Sequence, residues 1–266
     1  MKQKEVFSGP ALGLSVLTAA LADAAAPAGS VRAALLSGLL NAAVLSALIL
    51  LAGAFWQRSQ AFRLAWMTAL PLWLLAELAR TVLQAHAVCR EEFRSMALLG
   101  VLPLLLWAGG QLAPGSWNAA ARVLWWMVFL GIVLCLPGLL GQMHWARLVA
   151  ADAARPARSV QALVYAEYFF GPPQCAGKTP KHLLGLPWPA FAVQAAAWLG
   201  MGLVFGAGDY PQRELLRAWN AGVFSRLDAL LLLVWLACAF YRIGFLCTAL
   251  RTCLCGTAPA GKGSAE

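Results

Sequence analysis

The chain is 266 residues long, 61% hydrophobic and only 12% charged, with 20 Lys and Arg against 11 Asp and Glu for a net charge of +9. A soluble domain carries about twice that charged fraction, so composition excludes an ordinary water-soluble globule: too few polar groups exist to cover its surface. The basic residues are scattered singly, so the excess positive charge fits anionic lipid head groups better than a nucleic-acid interface.

The N-terminus has the form of a signal peptide. Lys2 and Lys4 precede an apolar stretch from Pro10 to Ala22, and Ala22-Asp23-Ala24 matches a small-x-small cleavage pattern. Gly9, Pro10 and Gly13 loosen the start of any helix there. We read the segment as a retained, short or interrupted first helix, with cleavage as the alternative.

Four uncharged runs follow: between Arg32 and Arg58, Ser95 to Ala121, Val123 to Ala146, and Leu183 to Gly208. Each exceeds the roughly 20 residues that cross a ~30 Å hydrocarbon layer at ~1.5 Å per residue. Strand alternation is absent, and lipid-exposed backbone must satisfy its own hydrogen bonds, which leaves helices. The predicted class is all-α, a polytopic membrane helix bundle of about eight or nine helices. Residues 1–250 form a single transmembrane domain, and 251–266 a short disordered tail rich in Gly, Ala, Pro and Ser.

In chain order, helix two is predicted over Val31–Trp56 and helix three over Ala61–Val88, followed by a charged loop, Cys89–Arg94. Helix four covers Ser95–Leu112 and stops at the turn formers Ala113-Pro114-Gly115-Ser116. Helix five covers Trp117–Met143, and His144–Arg158 is a polar, basic connector. Ser159–Phe170 is too short to cross and is broken by Gly171-Pro172-Pro173, which fits a half-helix dipping into the bundle. Helix seven covers Pro187–Phe205, Asp209–Phe224 is an amphipathic interfacial or re-entrant segment, and the last helix covers Arg226–Leu250. Basic residues divide nearly evenly between the two sides, so the positive-inside rule assigns no orientation.

Ionisable groups at membrane depth cost about 2.5–3.5 kcal/mol or more, so those present should face protein or water. On helix three Glu77, Arg80, Thr81 and Gln84 fall on one face, with Glu77 and Arg80 placed to neutralise each other within the helix. The face is either a packed polar seam or the wall of a pathway. On the last helix Asp228, Trp235 and Arg242 recur every seven residues, a stripe about 21 Å long. Either it faces the bundle interior, or Asp228 sits at the interface and Arg242 snorkels to the other side. In the short segment Gln161, Tyr165 and Tyr168 share a face, and Glu167 lies just before the break at Gly171. Glu167 is the candidate coupling or gating acid, with a head-group glutamate as the bland alternative. Seven cysteines show no disulfide framework, and Cys253-x-Cys255 with Cys247 is a weak metal signal. We read no metal site and no cofactor, and no nucleophile–base constellation, so no enzyme.

The C-terminal third carries a resemblance. Tyr210-Pro211, Glu214 and Arg217, then Phe224, Arg226-Leu227-Asp228-Ala229-Leu230 and Trp235, resemble the "YP…E–R" and "F–RLDAL–W" elements of the B-subunit, permease-like proteins of spore germinant receptors. Leu102-Pro103, Ala119–Arg122 and Tyr165-Ala166-Glu167 match that family more loosely. The family is similar to amino acid–polyamine–organocation transporters, with ten helices in two inverted repeats. The resemblance implies a transporter-like fold with interrupted helices, incomplete here at the C-terminus because no tenth helix fits after Leu250. It also implies a ligand pocket at interrupted helices one and six, here Gly9–Gly13 and Tyr165–Gly171. The partners implied are membrane lipids, A-type and C-type receptor subunits and a small amino-acid-like nutrient. The location implied is the spore inner membrane or the cytoplasmic membrane. A secondary transporter of amino acids or cations, and a membrane assembly factor without a ligand, are the rival readings.

Overall fold

The computed structural model describes residues 7–23, 31–94, 96–141, 143–154, 164–170, 185–205 and 227–256. Among these residues there is no strand. The elements in order are α1 (Gly9–Asp23), α2 (Val31–Arg58), α3 (Gln60–Glu92), α4 (Ala97–Gln111), α5 (Pro114–Leu140), α6 (Trp145–Ala154), a 3₁₀ turn η1 (Ala166–Phe169), α7 (Pro187–Phe205) and α8 (Leu227–Gly256). Five helices hold a stretch long and apolar enough to cross a membrane, namely Val31–Arg58, Gln60–Glu92, Pro114–Leu134, Pro187–Phe205 and Leu230–Leu254. Their outer faces carry large exposed apolar side chains such as Leu40, Leu72, Trp126 and Phe129. In water such faces would associate, whereas in a bilayer they meet acyl chains. Together these are the features of an integral membrane protein.

The first helix is the exception in burial. It has only 15 residues, and Ala11, Leu12 and every residue from Leu14 to Ala20 are buried. A helix apolar on all sides belongs in the middle of a bundle. α1 packs there against α5, α7 and α8 and touches η1. Phe7, just ahead of it, closes the core against Phe170 and Phe245, with ring centroids 5.6 Å and 4.5 Å away.

The last helix is the hub, lying along α3, α4, α5 and α1. Close approach to α4 depends on missing side chains. A Cβ on Gly109 would stand 2.8 Å from the Cβ of Cys247 and 2.9 Å from the carbonyl oxygen of Gly244. Trp117 of α5 lies over Gly244, and its Nε1 donates to the Thr248 hydroxyl at 2.7 Å. That hydroxyl donates in turn to the Gly109 carbonyl. Small residues and interhelical hydrogen bonds of this kind hold helices together where lipid offers no hydrophobic drive.

Several predicted boundaries shift, each for a local reason. The expected loop Cys89–Arg94 is largely the end of α3, which runs to Glu92. The Phe93 amide donates to the Cys89 carbonyl at 3.2 Å, and Arg94 turns the chain with φ of 49°. That left-handed value usually falls to glycine. Pro114, expected in a turn, opens α5, because the first turn of a helix needs no amide there. The connector after His144 contains α6, which packs on α7. Where a half-helix was expected before residue 171, the described part is the single 3₁₀ turn η1. The last helix continues through Gly256 into what was read as tail. Gly171, the interfacial segment Asp209–Phe224 and the motif residues Tyr210, Pro211, Glu214, Arg217 and Arg226 lie outside the described residues. So does the side chain of Asp228.

Candidate functional site

A single guanidinium organises the polar interior. Arg242, near the middle of α8, is 1% exposed. Its Nη1 donates to Thr81 Oγ1 at 2.6 Å, and its Nη2 donates to Glu77 Oε2 at 2.9 Å. Nε and Nη2 both donate to Glu167 Oε1, at 3.1 and 3.0 Å. The snorkelling alternative for Arg242 therefore fails. In mid-helix the side chain finds three acceptors inward, whereas a charge facing lipid would find none.

The three acceptors come from two elements. Glu77 and Thr81 are one turn apart on α3, and the Thr81 hydroxyl also donates back to the Glu77 carbonyl at 2.8 Å. Glu167 comes from η1 and is fully buried. Ser15, from the centre of α1, donates its hydroxyl to Glu167 Oε1 at 2.7 Å. Three bonds thus converge on one oxygen of Glu167, while its Oε2 is buried with no hydrogen-bond partner among the described residues. One arginine faces two carboxylates, so with all three ionised the cluster carries an excess negative charge.

A second polar group lies beside the first. Asp23, at the C-terminus of α1, accepts from Arg80 Nη2 at 2.6 Å and from Gln84 Nε2 at 2.9 Å through Oδ1. Its Oδ2 accepts from the Tyr165 hydroxyl at 3.2 Å. The ring of Tyr165 sits 5.8 Å from the Arg242 guanidinium carbon, a cation–π distance. Tyr165 therefore touches both groups, holding Asp23 by its hydroxyl and Arg242 by its face.

Of the predicted polar face of α3, Glu77 and Thr81 are buried while Arg80 stays exposed, and the expected pairing within the helix is corrected. Glu77 pairs with Arg242 and Arg80 pairs with Asp23, so Glu77 and Arg80 each find an opposite charge on another element. Arg242 donates to Glu77 at 2.9 Å and Arg80 to Asp23 at 2.6 Å, so each ion pair joins two elements. The stripe on α8 also resolves differently from one site. Trp235 packs half-buried beside Ala85, Cys89 and Leu98, whereas Arg242 meets Glu77 and Thr81. α8 runs antiparallel along α3, so the seven-residue step on one helix is matched by a step of similar length on the other. Trp235 is a packing residue of that seam and stands apart from the ionic cluster.

Two participants escaped the sequence reading. Ser15 is one hydroxyl in an apolar run, and Asp23 was read within a small-x-small cleavage pattern. The signal available for both was a polar side chain on a segment otherwise too apolar to be exposed. Among the described residues no group of three or more His, Cys, Asp or Glu is placed to hold a metal ion.

No protein-family model matches the chain, and neither a curated protein nor a solved structure matches it.

Proposed function

We propose that the chain is a transporter-like membrane protein that binds a small, amino-acid-like nutrient. We propose further that it couples binding to ion movement or to partner subunits, as the B-type subunit of a spore germinant receptor. It would act in the spore inner membrane or the cytoplasmic membrane beside A-type and C-type subunits. The observation that carries the solute-binding part is the buried Arg242–Glu167–Glu77 cluster, assembled by α8, η1 and α3 at membrane depth. Ionic groups in a bilayer are costly, and their default reading is a pathway or ligand site. An amino acid zwitterion offers a carboxylate to compete for Arg242 and an ammonium to compete for Glu167. Such a ligand favours the bundle arrangement in which the pair is open, and that differential affinity is the signal. The receptor assignment rests on the Tyr210–Arg217 and Arg226–Trp235 resemblance. A second reading, a secondary transporter of amino acids or cations, is favoured by the excess negative charge at Glu167, a natural place for a coupling ion.

The experiment compares Glu167→Gln and Asp228→Asn with the unmodified chain, first in the native host for nutrient-triggered germination and then alone in proteoliposomes for uptake. Loss of germination with intact membrane insertion supports the receptor reading. Substrate uptake by the chain without partners supports the transporter reading. Normal germination and no uptake in any form would overturn both.

A further inference from the structure

We infer that α6 is an interfacial helix. Its outward face, carried by Trp145 and Val149, rests on the lipid leaflet at the head-group boundary, and its inward face closes the end of α7. The inference is independent of the Arg242 cluster and of any solute.

α6 spans Trp145–Ala154, 10 residues or about 15 Å, too short to cross a ~30 Å hydrocarbon layer. It is fastened at its start. The His144 amide donates to the Leu203 carbonyl at 3.0 Å, and the Arg147 guanidinium donates to the Val204 carbonyl. Both carbonyls lie in the last turn of α7, where the helix has no amides left to satisfy them. Leu148 fills the space beside Gly202, where a Cβ would stand 2.7 Å from Leu148 Cδ1 and 3.0 Å from Val31 Cγ2. His144, Arg147 and Leu148 thus all meet α7 between Gly202 and Val204, as in a helix that crosses the end of another.

The side chains are distributed in the reverse of the order that water imposes. A helix in water turns its charges outward and its apolar stripe inward. On α6 the Arg147 guanidinium is bonded to the bundle, whereas Trp145 and Val149 point away, 74% and 63% exposed. These two residues are one turn apart and share a face. A short helix with an aromatic and an aliphatic side chain on its free face suits the boundary between head groups and acyl chains.

Depth is set by α2. Arg32, Leu36 and Leu40 are exposed and recur every four residues, so they form one stripe along that helix. Leu36 and Leu40 belong to the lipid-facing surface. Arg32, one turn further out, marks the level at which the stripe leaves the hydrocarbon. Leu148 packs with Val31, the neighbour of Arg32 in the chain, so α6 lies at that level. Tryptophan is enriched there because its ring is apolar and its N–H seeks a polar partner. The free face of α6 is therefore continuous with the lipid-facing surface of α2, and its occupant is the leaflet. α6 also fixes how deep the bundle sits, with the first turn of α2 and the last turn of α7 at one membrane face.

Depth-dependent fluorescence quenching of the full-length chain in phosphatidylcholine vesicles tests this. Trp145→dansylalanine places a fluorophore on the free face of α6, and the lipids carry bromine near either the carbonyl end or the methyl end of the acyl chains. The expected result is a greater loss of emission with the shallow bromines than with the deep ones. Leu40→dansylalanine, well inside the α2 span, should show the opposite order. Emission from position 145 that neither lipid quenches would place the face in water or against another protein and overturn the proposal. Stronger quenching by the deep bromines would bury α6 in the hydrocarbon and overturn it as well. Should Trp145→dansylalanine fail to insert, Val149→dansylalanine on the same face carries the same test, with the same outcomes for and against.

Discussion

The guanidinium of Arg242 reaches Glu167 twice, from Nε at 3.1 Å and from Nη2 at 3.0 Å, and both bonds end on the same carboxylate oxygen. The usual bidentate pairing uses two oxygens. Here the fork is turned so that its remaining donors meet Glu77 and Thr81, and one cation ties α8 to both α3 and η1.

Removing that cation should be severe. Arg242→Gln leaves Glu77 and Glu167 facing each other without a buried counter-charge, a loss expected at about 3–5 kcal/mol. Arg242→Lys should recover little, because a single ammonium cannot satisfy three acceptors spread across a planar fork. Thermal melting of the purified protein in detergent checks this. The double variant Arg242→Gln with Glu77→Gln should lose less than the sum of its parts, and strict additivity would dissolve the claimed pairing.

The Asp23 group should divide unequally. Arg80 has a side chain 45% exposed against 6% for Asp23. Arg80→Ala removes a solvent-screened ion pair and should cost no more than about 1 kcal/mol. Asp23→Ala also strips the acceptor from the Tyr165 hydroxyl and from Gln84, and should cost about 1–3 kcal/mol more. Equal melting temperatures for the two variants would count against Tyr165 as the link between the clusters.

Ser15 offers a test of the part the sequence did not announce. Ser15→Ala removes one of the three donors on Glu167 Oε1, with an expected loss of about 1–3 kcal/mol. Ser37→Ala on α2 removes a hydroxyl that bonds back to its own helix at Ala33 and Ala34 and serves as the control. If both variants melt together, α1 does not support the site.

Glycine placement predicts a contrast between two helices. Gly244→Ala would drive a methyl into the indole ring of Trp117, which is held by its bond to Thr248. Overpacking of this kind costs about 1–3 kcal/mol. A Cβ on Gly100 meets nothing within 4 Å. Gly100→Ala should therefore be neutral, or stabilising by up to about 1 kcal/mol through helix propensity. Melting curves for the pair decide it, and similar losses would mean that α8 does not approach Trp117 as described.

The bundle itself was legible because hydropathy acts residue by residue. A run such as Val31–Arg58 or Pro187–Phe205 declares its length and solvent without any neighbour, and the polar face of α3 declares its inward side by spacing alone. Identities of partners were another matter. Glu77 and Arg80 looked like a pair because they are close in sequence, yet each is claimed by a charge from a distant segment. Ser15 sits 152 positions from Glu167, and Asp23 sits 142 from Tyr165. Periodicity carries no term for separations of that kind. Only packing of a buried α1 between the longer helices brings those groups within hydrogen-bond range.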